Sequence, residues 1–154
     1  MRVALSLMAV VIVAIACGSE STQPGQVQST STLTIIGSAT LSETACNFAM
    51  PSELPLQVVR FKLVNQTKYT GRFILSNIHE GHTFQELLDY WNGPQGQVQA
   101  PTFGSELELI DVLANKTDVM IASVSLVGTY AFHCGYFSPD AGKVIGFFHE
   151  LKAG

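Results

Sequence analysis

The chain has 154 residues, 47% of them apolar and 13% charged, with a formal net charge of −4. That length holds one ordinary domain. Eight Lys and Arg against twelve Asp and Glu, with no basic cluster, argue against nucleic acid as a partner and against an electrostatic membrane patch.

Met1-Arg2 is a short positive start, and Val3 to Ala16 is an apolar run broken only by Ser6. The run is shorter than the roughly 20 residues of a spanning helix and has the anatomy of a secretory signal. Residues 1–16 are therefore expected to be a signal peptide. Ala14-Ile15-Ala16-Cys17 resembles a bacterial lipobox, in which a small residue precedes the cysteine that becomes the lipidated N-terminus. Ala14 stands where that motif usually has Leu. The resemblance implies a lipoprotein acylated at Cys17 and held in the bacterial cell envelope, facing periplasm or exterior. Its partners would be the membrane, through the N-terminal lipid, and an envelope protein. Removal of residues 1–16 takes away Arg2 and moves the formal charge from −4 to −5.

Gly18 to Ser31 is dominated by Ser, Thr, Gln and Gly, so residues 17–32 read as a flexible tether. The folded domain is expected over 33–154. Leu33 to Gly37 is rich in β-branched residues and reads as the first strand. Glu43 to Met50 is the second, with Cys46, Phe48 and Met50 on one face and Pro51 as its stop. Leu56 to Asn65 alternates, Val59, Phe61 and Leu63 against Arg60, Lys62 and Val64, as a half-buried antiparallel strand does. A turn from Asn65 to Gly71 leads into a strand over Arg72 to Ile78.

Thr83-x-x-Glu86 is a capping box and opens one helix, with Phe84, Leu87, Leu88 and Trp91 on its apolar face. Asn92-Gly93-Pro94 stops it. Gln95 to Gly104 is a polar loop carrying Gln97, Gln99, Pro101 and Phe103. Glu106 to Leu109 can open a strand, and Leu109 to Ala114 reads either way. Thr117 to Ser125, Thr129 to Tyr136 and Val144 to Lys152 are strands, the last with Ile145, Phe147, His149 and Leu151 on one face. Seven or eight strands with one short helix predict an all-β sandwich.

Gly128-x-Tyr130-x-Phe132-x-Cys134 resembles the penultimate strand of the cupredoxins. Leu126-x-Gly128-x-Tyr130 looks like a tyrosine corner, and the order of Phe48, Pro51, the Asn65 turn and the helical insertion agrees with that family. An immunoglobulin-like sandwich would want Tyr-x-Cys, where Phe132 stands, and a Trp soon after the first Cys, whereas Trp91 comes far later. The resemblance implies a Greek-key sandwich with Cys134 as a copper ligand at the strand's end. It also implies a His after the Asn turn, and a second His and a Met after the Cys. Those positions hold Thr70-Gly71-Arg72 and Val144-Ile145, and no Met follows Met120. The implied reading is a cupredoxin-like domain with degenerate ligands and no metal or other cofactor.

Other histidines offer an alternative copper set with Cys134. His133 neighbours it but points to the opposite face. In a hairpin closed by residues 137–143, Cys134 faces Ile145, so His149 is displaced by about four residues, roughly 13 Å. His79 and His82 flank a loop and could meet a metal together. Cys46 and Cys134 both lie on core faces; a disulfide could occupy the vacated site, or the two could remain separate buried thiols. No glycine-rich phosphate loop, His-Glu-x-x-His or interpretable carboxylate pair appears, so no catalytic residue is expected. The function expected is a binding or structural module; the alternative is a copper electron carrier or chaperone using Cys134, His133 and His149.

Overall fold

Val59, Phe61 and Leu63 are all buried, as their alternation demands, and they set the inner face of the first of two sheets. A computed structural model describes residues 34–93 and 101–154. The signal peptide, Cys17, the tether and Gln95, Gln97 and Gln99 of the polar loop lie outside the described residues. Eight strands and one helix follow in order: β1 Ile35–Leu41, β2 Cys46–Ala49, β3 Val58–Asn65, β4 Gly71–Ile78, α1 Phe84–Asn92, β5 Gly104–Val112, β6 Thr117–Ser123, β7 Gly128–Ser138 and β8 Lys143–Ala153. The segment from Leu109 that read either way belongs to β5 as far as Val112.

One sheet has the order β2-β1-β3-β6 and the other β5-β4-β7-β8. β1 runs parallel to β3, and the other pairings between these strands are antiparallel. The chain therefore passes between the sheets after β3, β5 and β6, which makes the domain an all-β Greek-key sandwich. Between the sheets lie Phe61, Leu63, Phe73, Leu75, Met120, Tyr130 and Phe132, all essentially without exposure. Phe61 and Phe132 meet edge to face across the core, ring centroids 5.3 Å apart.

Two local motifs lock the sandwich. Tyr130 donates its hydroxyl to the Leu126 carbonyl at 2.7 Å, which is the tyrosine corner its spacing suggested. Buried Asn65 donates from Nδ2 to the carbonyls of Tyr69 and Val112 at 2.7 and 2.9 Å, and accepts from the Thr67 amide. It thereby ties the end of β3 to the end of β5.

α1 begins where the capping box placed it: Thr83 accepts from the Glu86 amide, and the Glu86 carboxylate accepts from the Thr83 amide. The helix covers the outer face of the second sheet. Leu87 is buried with Ile78 and Ala131, and Phe84, Trp91 and Phe103 pack around them. The second sheet is therefore buried on both faces where the helix lies, and this creates the site described next.

Candidate functional site

Cys134 lies in the middle of β7, since that strand continues to Ser138; it is not at the strand's end as the family resemblance implied. Its neighbours in register are Phe73 on β4 and Phe147 on β8. Cys134 is fully buried and bonded to Cys46, with the Cα atoms 6.5 Å apart. The bond joins β2, at the edge of one sheet, to β7, inside the other. Two positions on, Tyr136 donates its hydroxyl to the Glu43 carbonyl at 2.7 Å and stacks on Tyr69 at 5.2 Å. Those contacts tie the same two sheets at the end beyond the bond.

The surroundings of Cys134 do not fit a type 1 copper centre, which needs a thiolate and two imidazoles. The sulfur is in a disulfide. At Gly71, near the family's first His position, an added Cβ would come within 2.8 Å of Leu41 and 3.1 Å of Asn65. His149 is closer in register than the sequence suggested. The β7–β8 hairpin closes at Ser138 and Lys143, so Phe147 rather than Ile145 faces Cys134, and His149 faces Phe132. His149 is thus one inward position along from the residue opposite Cys134, a diagonal separation of about 7–8 Å. Its ring stacks on Phe48 at 5.1 Å. His133 lies on the other face of the sheet. The histidines before the helix do not converge either. His79 bonds Ser105 at 2.7 Å, while His82 stacks on Phe103 and lies 3.5 Å from Glu86. Among the described residues no three His, Cys, Asp or Glu side chains gather as a metal site would need.

The outer face of the second sheet is where unexplained polar chemistry collects. Arg72, Gly135 and Gly146 lie in one row across β4, β7 and β8, with Asp111 of β5 opposite Arg72. Ile74, His133 and Phe148 form the next row. The His133 imidazole leans over the glycine pair. An added Cβ would come 2.7 Å from its Nε2 at Gly146 and 3.0 Å at Gly135. The two glycines are required by that close approach. Phe148 stacks on the imidazole at 4.5 Å and Trp91 of α1 at 5.7 Å.

His133 is 7% exposed, and its buried Nδ1 has no hydrogen-bond partner. Burial first, and the nearby Arg72 guanidinium second, push its pKa down from 6.5 to about 4. The imidazole is therefore neutral at pH 7. Arg72 itself is engaged with Asp111 through two bonds of 2.8 and 2.9 Å, which hold the Asp111 carboxyl below its ordinary range. A cavity of about 300 Å³ opens beside Trp91 and His133, and another of about 270 Å³ lies between Arg72 and Val144.

The sequence placed His133 opposite the core face but gave no reason to expect it buried. The signal available was the pair of glycines: Gly135, two residues on from His133, and Gly146 in the next strand. The sequence could not show that the helix covers them.

No protein-family model matches the chain, and no curated protein matches it significantly. Two solved structures resemble the fold. One is a dithionite-reduced auracyanin from the photosynthetic bacterium Roseiflexus castenholzii, with 11% identity and a TM-score of 0.45 over 76% of this chain and 94% of that one. The other is auracyanin B, with 17% identity and a TM-score of 0.41 over 76% of this chain and 86% of that one. These likenesses are at low identity and concern the fold; the domain itself is an all-β sandwich of two four-stranded sheets.

Proposed function

We propose that the chain is a lipid-anchored protein of the bacterial cell envelope whose domain serves as a copper-free binding or structural module. The observation that carries this reading is the Cys46–Cys134 disulfide, which uses the one sulfur that a copper site would take. The register neighbours of Cys134 are Phe73 and Phe147, neither of which can ligate a metal.

The anchor rests on Ala14-Ile15-Ala16-Cys17 after the apolar run. Two or three acyl chains on Cys17 hold a protein firmly, since each buried methylene contributes roughly 0.8 kcal/mol. Fractionation of cells tests the anchor. The full chain should sediment with membranes, and Cys17→Ser should release it or leave it unprocessed. Soluble native protein with a free Cys17 would contradict the anchor. Copper titration followed by visible absorption tests the module: an intense blue band would return the domain to electron transfer.

A further inference from the structure

We propose that the end of the sandwich where β1 begins rests on a lipid bilayer, with Leu126 and Val127 entering its surface. The inference rests on the lipid-anchor reading above and gives the anchored domain an orientation.

β1 and β3 start at this end, β6 finishes there, and β7 sets out from it: Ile35 pairs with Arg60, Arg60 with Ile121, and Val58 with Ser123. The connection from β6 to β7 carries Leu126 and Val127, which are 57% and 72% exposed. The Val124 amide donates to the Gln57 carbonyl at 3.0 Å and brings that connection alongside Leu56 and Val58. Ile35, Leu56, Val58 and Ile121 are exposed as well. Among the described residues, six of the ten exposed large apolar side chains therefore lie at or next to one end. Apolar side chains gathered in that way mark a contact surface, where the same residues scattered singly would not.

The chain itself says what faces this end. Ile35 is the first residue of β1, and Cys17, the acyl acceptor, lies 18 residues before it. A polar tether of that length spans roughly 23 Å. The opposite end of the domain is farther from the anchor by the length of β1, about 23 Å for its seven residues. The tether end is thus the one held near the bilayer.

The chemistry agrees. All six side chains are Ile, Leu or Val. Protein interfaces draw their energy from Trp, Tyr and Arg and make little use of Leu and Val, whereas the acyl boundary asks only for apolar area. A loop that enters that boundary needs its backbone groups bonded. The Leu126 carbonyl accepts from the Tyr130 hydroxyl at 2.7 Å, and the Val124 amide is bonded to Gln57. Charges of both signs stand nearby: Arg60 lies between Ile35 and Ile121, and Glu80 borders a cleft of about 470 Å³ with Leu126 and Val127. The contact is therefore apolar rather than electrostatic, in keeping with a chain that has no basic cluster.

In the lipidated chain Cys17 carries the acyl groups and Cys46 is bonded to Cys134, so an introduced cysteine is the one free thiol. Val127→Cys and, at the opposite end, Leu113→Cys each place an environment-sensitive fluorophore at an exposed position. The lipidated variants are reconstituted in phosphatidylcholine vesicles with and without lipid that carries a nitroxide on its acyl chain. The label at position 127 should emit to the blue, and the nitroxide lipid should quench it at least about twofold more than the label at position 113. Leu126→Cys repeats the measurement at the neighbouring position should Val127→Cys fold poorly. Equal quenching at the two ends overturns the proposal, as does an emission at position 127 that matches the dye in water. A blue shift that needs crowded protein and comes without quenching assigns the surface to a second copy and overturns it too. Flotation of the vesicles separates the two readings. A chain that floats yet shows equal quenching keeps its anchor and loses this orientation; a chain that does not float loses both.

Discussion

The indole of Trp91 and the imidazole of His133 lie nearly parallel, 5.7 Å between centroids and 16° between planes. Trp91 belongs to the cluster under the helix on the outer face of the second sheet, where Nδ1 of His133 is buried. Trp91 is half-buried, so it both packs and borders the cavity beside His133. Trp91→Ala should cost about 2 kcal/mol, below the 3–5 kcal/mol of a fully buried aromatic ring. Urea unfolding measures that loss. The same variant should let the His133 pKa rise back towards 6.5, which NMR titration of the ring protons would record.

Stability should depend on pH through His133. In the unfolded chain the imidazole takes its proton near pH 6.5; in the folded protein it does so only near pH 4. The unfolded state therefore binds more protons between those values, and stability falls as pH drops through that window. The contribution is fully present above pH 6.5 and gone below pH 4, a change of about 3 kcal/mol at most. Denaturant midpoints at pH 7 and pH 4.5 should differ, and a His133→Phe variant should lose most of the difference.

The disulfide should be a main source of stability. It closes a separation of 88 residues between β2 and β7. In the chain-entropy view such a closure contributes about 4–5 kcal/mol. Cys46→Ala with Cys134→Ala should lower the urea midpoint accordingly, and reductant should lower the midpoint of the parent but not of the double variant.

The helix depends on its cap. Thr83→Ala removes the acceptor for the Glu86 amide, which is one side of the reciprocal pair, and should cost about 1 kcal/mol. Thermal unfolding measures it, and Thr83→Ser should retain most of the stability.

Much of the fold was legible because the strands are half-buried. Val59, Phe61 and Leu63 in β3 and Tyr130, Phe132 and Cys134 in β7 alternate because one face meets the core. Thr83 and Glu86 marked the helix start because capping is local chemistry. Strand ends were less readable. β7 runs past Tyr136 because Phe137 and Ser138 pair with Val144 and Lys143, a tertiary pairing with no local signature. That same extension shifted the register, bringing His149 closer to Cys134 than expected. The cavity beside Trp91 was hidden for a related reason: it depends on α1 lying over β7, and helix docking leaves no periodic trace in the strand it covers. Cys46 and Cys134 were readable as core residues, whereas their bond required the sheets to be placed against each other.

In the copper-free module proposed above, Cys134 is held in a disulfide with Cys46 and is not free to serve as a copper thiolate. The most direct test adds copper to the unreduced full chain and records its visible absorption. With Cys134 bonded to Cys46, no intense thiolate-to-copper band should form. An intense blue band, with copper bound at one equivalent, would contradict the account and make the protein an electron carrier.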